Sequence, residues 1–314
     1  MSEQAPLVSI AICTYNGEKY LAEQLDSLLR QTYAPMEIVL VDDRSTDGTW
    51  ALAKHYAARF PQLRIIQNTV TLGYQKNFEK ALALSRGTYV CVSDQDDIWN
   101  PTKVEKLVSN IGDNLLIYHD SEFVDADSQR LGRNMSDEFT MVAGSNPFAF
   151  LFFNCVSGHA LMVRKSLLET VSPFPSLGVY DHYLAFMAST QGHIAYLPEP
   201  LVKHRRHTAN ATDVLGSRKP KSRYKITQTR MMRENEWLRL CAEMSTHEAS
   251  HLANQLWKAA KNRTHNLVNP AFGYLVWKHQ HRLVQIPKKK SYHGFGFVFR
   301  QIWGLKAKSL FKFS

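Results

Sequence analysis

Val8-Ser9-Ile10-Ala11-Ile12-Cys13-Thr14-Tyr15-Asn16-Gly17, followed by Lys19 to Gln31 with leucines at 21, 25, 28 and 29, is the stretch that decides the fold. Its first six residues form a short, β-rich apolar run. The leucines that follow recur at the spacing of one helix face. A strand feeding a helix is the economical reading, and the unit repeats. Glu37 to Val41 is strand-like, and Thr49 to Phe60 is helical after an Asp/Ser/Thr/Gly turn that supplies a cap. Leu63 to Gln67 with Phe78 to Leu84 makes a third unit. Thr88 to Ser93 then gives a fourth strand, with Pro101 opening a helix where its missing N–H costs nothing. Such repeats predict an α/β fold, a mostly parallel sheet covered by helices on both faces.

Past Leu115 the alternation loosens. Leu115 to His119 reads as a strand, Asp125 to Gln129 as a turn, and Phe148 to Val163 as an aromatic-rich stretch containing Gly158. Helix-compatible sequence resumes from Thr229 to Lys261. The chain of 314 residues, 44% hydrophobic, is large enough for a substantial core. Its four cysteines (Cys13, Cys91, Cys155, Cys241) are far apart and include no C-x-x-C pair, which argues against a disulfide scaffold or thiolate zinc site. With no apolar run of 18 residues and no basic leader, the expectation is a cytosolic chain that does not span a membrane. Charge divides it unequally. Residues 1–202 hold 15 Lys+Arg and 23 Asp+Glu, whereas residues 203–314 hold 23 and 5. A basic end of this kind suits nucleic acid, an anionic membrane face or a phosphorylated ligand, and its sign alone does not choose.

In an open parallel sheet, ligands bind beyond the carboxyl ends of the strands. Thr14-Tyr15-Asn16-Gly17, Asp42-Asp43-Arg44-Ser45-Thr46-Asp47-Gly48 and Asp94-Gln95-Asp96-Asp97 follow the first, second and fourth strands, so three polar loops converge on one rim. Asp94, Asp96 and Asp97 would repel one another without a cation between them. A hard divalent ion, Mg²⁺ or Mn²⁺, answers that repulsion. Asp94 and Asp96 share a side in extended chain, while Asp97 also suits a cap for the helix near Pro101. Asp42, Asp43 and Asp47 equally suit an ordinary turn into a helix. A dinucleotide dehydrogenase is disfavoured, because no G-x-G-x-x-G follows the first strand.

Taken together and in order, Val8 to Gly17, Val41 to Thr49 and Asp94-Gln95-Asp96-Asp97-Ile98-Trp99 resemble the signature segments of family 2 glycosyltransferases. The resemblance covers roughly residues 6–210. It implies the GT-A fold, a nucleotide-sugar donor (dTDP-, UDP- or GDP-linked), a divalent metal, and transfer with inversion at the anomeric carbon. It divides the chain into a catalytic domain over 1–215, with a nucleotide-binding half to 112 and an acceptor half from 113, and a basic helical extension over 216–314. By the same resemblance, Thr14, Tyr15, Asn16, Asp42 and Asp43 hold the nucleoside, with Asp43 on the base. Asp94 and Asp96 match the D-x-D pair, Asp94 reaching ribose or metal and Asp96 holding the metal on the diphosphate. Asn77 matches a position lining the nucleotide pocket, although Asn77 and Lys76 also suit a plain helix surface.

Inverting transfer needs a base for the acceptor hydroxyl, and Asp181 in Gly178-Val179-Tyr180-Asp181-His182-Tyr183 matches the family's carboxylate at a helix start; an N-cap is its structural alternative. His204-Arg205-Arg206-His207 with Asn210 resembles the R-x-H-x-x-N segment, which implies His207 on the metal and Arg205 or Arg206 on the diphosphate. The same residues also suit the plain beginning of the basic tail. Asn154 to His159 matches the acceptor-side segment. The patterns are similar to rhamnosyltransferase-like enzymes of bacterial surface polysaccharide biosynthesis. Arg44 stands where Gly is common, and Arg206 and Ala209 replace frequent Gln and Asn. The acceptor implied is a glycan or lipid-linked glycan.

The end of the chain, Gly294 to Phe313, interleaves Phe295, Phe297, Phe299, Ile302, Trp303, Leu310 and Phe311 with Arg300, Lys306, Lys308 and Lys312. Such a segment suits peripheral contact with an anionic membrane, here the cytoplasmic face of the inner membrane, or a lid packed on the catalytic domain. Nucleic acid is not expected as a partner, since no recognised module accompanies the charge. Two other classes compete: a nucleotidyltransferase, which would want a glycine-rich basic loop after the first strand, and a noncatalytic membrane assembly protein.

Overall fold

The computed structural model describes residues 4–175, 179–207, 223–292 and 295–310. Strands β1 (Val8–Thr14), β2 (Met36–Asp42), β3 (Leu63–Gln67) and β4 (Tyr89–Ser93) alternate with helices α1 (Glu18–Leu29), α2 (Thr49–Ala57) and α3 (Tyr74–Leu84). There follow β5 (Ile98–Trp99), α4 (Lys103–Asn110), β6 (Leu116–Val124), β7 (Arg130–Asn134), α5 (Met135–Glu138), β8 (Leu161–Arg164), α6 (Lys165–Val171), α7 (Tyr180–Gln191) and β9 (Ile194–Arg205). Helices α8 (Arg223–Glu243), α9 (Glu248–Ala260), α10 (Pro270–Leu283), α11 (Phe295–Ile302) and α12 (Leu305–Leu310) complete the described chain. Gly178, Ala209, Asn210, Gly294, Phe311, Lys312 and Phe313, all named above, lie outside the described residues.

One sheet runs β3-β2-β1-β4-β8-β6-β9-β5, with β7 paired to β6. The first four strands are mutually parallel, as the βα repeats predict. Beyond them the sheet is mixed: β8 is antiparallel to β4 and β6, while β9 is parallel to β6. Period-two alternation sends side chains to two cores. Ala11, Cys13, Val39, Val41, Val90 and Val92 face one. Val8, Ile10, Ile12, Ile38, Leu40 and Cys91 face the other, under α1 and α4. Burial on both faces is why β1 carries no polar alternation except Ser9, whose hydroxyl donates to Glu37 Oε1 at 2.6 Å.

Several boundaries differ from the sequence reading for local reasons. Pro101 lies in the turn before α4 and does not open it, because Asn100 Oδ1 accepts from Thr102 N and makes the entry turn itself. Asp97 does not cap that helix; it faces β9 instead. Strand β6 runs past His119 to Val124, since buried polar residues continue it: Asp120 bonds the Ser136 hydroxyl and amide, and Ser121 bonds His159. The 229–261 stretch is two helices, broken at Ser245 to His247, where His247 Nδ1 caps α9 by accepting from Ala249 N.

The C-terminal helices share the first core. Trp237, Leu256, Phe272 and Phe297 pack with Phe148, Phe150 and Phe186. Phe297 is buried, 6.2 Å from the Phe153 ring and 5.7 Å from Tyr292, whereas Phe299 is 39% exposed. This part of the terminal segment therefore packs inward as a lid-like layer would.

Candidate active site

Register brings the ends of β1, β2 and β4 to one edge: Thr14 lies beside Asp42, and Ile12 beside Ser93. The loops there are cross-braced. Gln95 accepts from Tyr15 N at 2.9 Å and donates to Tyr15 O at 3.1 Å, tying the first loop to the third. Asn16, at a left-handed φ of 48°, gives its N–H to Ser45 Oγ and accepts from Thr46 N at 2.8 Å, tying the first loop to the second. The Tyr15 ring is left half exposed on the rim.

Asp42 is fully buried and accepts from the Thr14 and Ser45 hydroxyls, Ser45 N and Gln67 Nε2. Asp43 accepts from Asn68 Nδ2 (2.8 Å), Leu72 N (2.7 Å) and Gly73 N (2.8 Å). Asn77 is buried behind it, donating to Val41 O and accepting from Asn68 Nδ2. An Asn77–Asn68–Asp43 chain thus fixes the second loop, and Asn77 acts from beneath the surface. Arg44 holds a left-handed φ of 62°. Glycine adopts that backbone most cheaply, so Arg44 holds a turn conformation that a glycine would take without strain.

In the third loop, Asp96 Oδ2 lies 2.8 Å from His207 Nε2, so two of the three expected metal ligands meet directly. Asp94 is about a third exposed (35%), with Oδ2 3.8 Å from His159 Nδ1. Desolvation, then the Asp97 and Asp96 charges, push its carboxyl well above the usual range, and Asp181 adds to the same field. Asp97 lies beneath the crevice. Its Oδ1 accepts from His204 Nδ1 and Arg205 N, both at 3.0 Å, while Oδ2, fully buried, has no hydrogen-bond partner among the described residues and lies 3.8 Å from His159 Nδ1. His159 stacks on His204 at 4.2 Å. Burial and the neighbouring cations hold His159 well below its usual pKa; His204 is raised, because the Asp97 carboxylate outweighs the cost of burial.

Oxygen donors with one imidazole suit Mg²⁺ or Mn²⁺; the structure brings Asp96 and His207 together, while the Asp94 carboxylate lies on the His159 side and does not close a three-ligand set with them. A second Asp/His group, Asp97, His159 and His204, brings three ligand atoms within 4.8 Å of one another, all buried. Arg205 is also buried. Its guanidinium donates to Asp96 O, Ala126 O, Ser128 Oγ and Glu23, and lies 4.6 Å from the Tyr20 ring. Tyr20 in turn meets the His207 ring at 4.9 Å. Arg205 thereby braces the 94–97 loop and, through the Tyr20 ring, His207.

Across the crevice, Asp181 occupies the first turn of α7. Oδ1 accepts from Asn154 Nδ2 (3.0 Å) and His182 N (2.6 Å), and Oδ2 from Gly158 N (3.1 Å). Burial nevertheless raises its pKa to about 6, against these bonds. Burial, then the Asp94 and Asp181 charges, push the Tyr180 hydroxyl well above its usual range, so both carboxylates bear on that hydroxyl. A Cβ on Gly158 would run into that hydroxyl. Gly158→Ala is therefore expected to cost about 1–3 kcal/mol by overpacking and to lower turnover by displacing the amide that aims Asp181. Urea melts and donor turnover, measured together, check this; a variant with unchanged values for both removes the close contact.

Gln95, Tyr20, Asn68 and Lys103 were not legible as site residues. Lys103 points inward, donating to His159 O at 2.6 Å with its Nζ 3.2 Å from the Trp99 ring centre. Burial lowers its pKa to about 7. The one local signal was Gln95, lying inside the carboxylate run.

A family model described as Glycosyl transferase family 2 matches residues 9–171, just over half of the chain. An uncharacterized glycosyltransferase of Haemophilus influenzae is 27% identical over 239 residues, covering 71% of this chain and 73% of that protein. An uncharacterized Mycobacterium tuberculosis protein is 30% identical over 209 residues; the match spans 64% of this chain but only 59% of that one. Among solved structures, Staphylococcus aureus TarS 1–349 in complex with UDP-GlcNAc has a TM-score of 0.59 at 19% identity, over 89% of this chain and 82% of that one. Mannosyltransferase PcManGT from Pyrobaculum calidifontis, in complex with GDP-Man and Mn²⁺, has a TM-score of 0.55 at 18% identity, over 99% and 89%. At such identity these likenesses speak to the fold, which is GT-A. The order of loops on the sheet edge and the span of the family match agree, and the chain belongs to glycosyl transferase family 2.

Proposed function

We propose that the protein moves a sugar from a nucleoside-diphosphate donor to a hydroxyl of a glycan or lipid-linked glycan, inverting the anomeric centre. The observation that carries this reading is Asp181. It is aimed by three hydrogen bonds, raised to about 6, and within the electrostatic reach of Asp94. Thr14, Tyr15, Asn16 and Asp43, with Asp42 beneath, shape the nucleoside end, supported by Asn77. Asp96 and His207, joined by Asp94, would hold the divalent metal, which would supply charge neutralisation on the diphosphate. Arg205 keeps that side in place. Asp181 accepts the proton of the acceptor hydroxyl as its oxygen bonds the anomeric carbon and the bond to the diphosphate oxygen breaks. One proton passes to a carboxylate, and the leaving diphosphate takes the bonding pair.

The sign of the pH dependence follows. The base works as a carboxylate, so kcat is expected to rise with pH through about 6 and level off above it. A flat profile between pH 5 and 7 would contradict the assignment. The anomeric configuration of the product, read by NMR coupling constants, tests inversion; a retained configuration overturns it.

The same proposal extends to bacterial surface polysaccharide synthesis at the cytoplasmic face of the inner membrane, with a hexosyl or rhamnosyl donor. No helix among the described residues is long and apolar enough to cross a membrane. Support for peripheral contact comes from α10, where Tyr274 (56% exposed) and Trp277 (52%) lie beside Lys278 and follow the exposed Leu267 and Val268. Aromatic rings and cations together suit an anionic lipid interface. Cosedimentation with phosphatidylglycerol vesicles, weakened in a Tyr274→Ser/Trp277→Ser double variant, is the expected result; equal binding by that variant removes α10 from the role.

A further inference from the structure

A second concavity, about 960 Å³, lies away from the metal-side loops, between α8, the α11–α12 pair and the Phe152-Phe153 segment. Its lining carries Arg230, Arg233, Arg300 and Lys308 against a single carboxylate, Glu234. That carboxylate is already engaged by Arg263 at 2.7 Å and by Arg230 at 3.9 Å. Arg233 makes no ion pair among the described residues. Among the described residues Arg300 donates to the Ser291 carbonyl and makes no ion pair. Burial holds Lys308 down to about 8; Glu234 opposes this, and Arg263, Arg230 and Arg300 add to it. Among the described residues the cavity is thus a positive field short of counter-charge, walled by the rings of Phe153, Tyr292 and Phe297.

It is also connected to the acceptor side of the crevice. Phe152 and Phe153 immediately precede Asn154, which holds Asp181. The Phe150 carbonyl accepts from both His182 Nε2 (2.6 Å) and Trp237 Nε1 (3.0 Å), locking α8 to the helix that bears the base. Arg233 lies one turn before Trp237, and its charge and that of Asp181 act oppositely on the same Tyr74 hydroxyl. Arg233 therefore stands in the cavity wall one turn from Trp237, the residue that ties α8 to the helix bearing Asp181.

We propose that this cavity binds a phosphate-bearing part of the acceptor, with Arg233, Arg300 and Lys308 on the phosphate and the aromatic wall against the adjoining apolar or sugar portion. The assignment rests on the transferase reading of the crevice, and it deepens it by giving the acceptor a chemical class. Guanidinium groups suit phosphate oxygens, and aromatic walls suit either an isoprenoid chain or a sugar face.

The test is calorimetric titration of the full chain, in EDTA and at low salt, with geranyl diphosphate, glycerol phosphate and geraniol. Binding of a phosphate probe, absent for geraniol and weakened about tenfold or more in Arg233→Gln and in Lys308→Gln, supports the proposal; Arg233→Lys should recover most of the loss. Tighter binding of geranyl diphosphate assigns the phosphate to a lipid carrier, and tighter binding of glycerol phosphate to the glycan itself. No binding of either phosphate probe, or binding indifferent to both variants, overturns it. Metal-dependent stabilisation by nucleotide-sugar, read on the same preparations, reports the transferase reading separately, because the titrations need neither metal nor donor.

Discussion

Asp181→Asn is expected to lower turnover about 10²–10⁴-fold, the range for loss of a general base, while donor affinity stays near that of the unaltered protein. Asparagine keeps the shape of the side chain and its Oδ1 can still accept from Asn154 Nδ2 and His182 N, so the start of α7 stays in place, while its NH2 faces the Gly158 N–H and that one bond, worth about 1 kcal/mol, is lost. What it lacks is a site for the acceptor's proton. The stability change has the opposite sign from the usual cost of a substitution. The folded-state pKa of Asp181 is raised from 3.8 to about 6, so the folded protein holds a proton that the unfolded chain has already lost. Keeping the group ionised above pH 6 therefore costs stability, up to about 3 kcal/mol for two units, and that cost fades as pH falls through 6 towards 4. At pH 7 the variant should melt at or above the temperature of the unaltered protein. Unchanged turnover would remove Asp181 from the role, and a lower Tm with lost donor binding would mark it as a structural cap.

Asp96→Ala is expected to abolish metal-dependent donor binding and to lower turnover about 10²–10⁴-fold, matching several kcal/mol of transition-state stabilisation by a metal. Asp96 is the carboxylate that meets His207 at 2.8 Å, and the Tyr20 ring lies 4.9 Å from the same imidazole. Its loss removes one ligand and the hydrogen-bond partner of another. Thermal melts with donor and Mn²⁺, compared with donor and EDTA, check this. A variant that still shows the full metal-dependent shift would move the metal away from this loop, with the buried Asp97, His159 and His204 group as the next place to look.

The parallel half of the sheet was legible because burial on both faces leaves a sequence mark: β1 and β2 are runs of apolar residues that only a covered strand accommodates. The second half hid itself through buried polar groups. Asp120 and Ser121 look like the end of a strand, yet they continue β6 because Ser136 and His159 satisfy them from distant parts of the chain. The same distinction runs through the site. Carboxylates crowded after a strand announce themselves through their own repulsion, which is how the Asp94 to Asp97 loop was found. Asn77 and Arg205 were recognised as polar residues near the site, but their work lies with Asn68 and Glu23, partners that no local spacing predicts. Lys103 was the least legible. A lysine at a helix start belongs outside by every local rule, and only the position of the His159 carbonyl and the Trp99 ring makes its inward course intelligible.

The central claim, that this crevice is a metal-assisted nucleotide-sugar site, is tested most directly by differential scanning fluorimetry of the full chain. UDP-, dTDP- and GDP-sugars are compared, each with Mn²⁺ or with EDTA. A ligand that binds only the folded state raises Tm by an amount set by its concentration over Kd. The account predicts that one nucleotide series raises Tm with Mn²⁺ and fails to do so with EDTA. A cooperatively folded protein whose Tm no donor shifts, with or without metal, would contradict it.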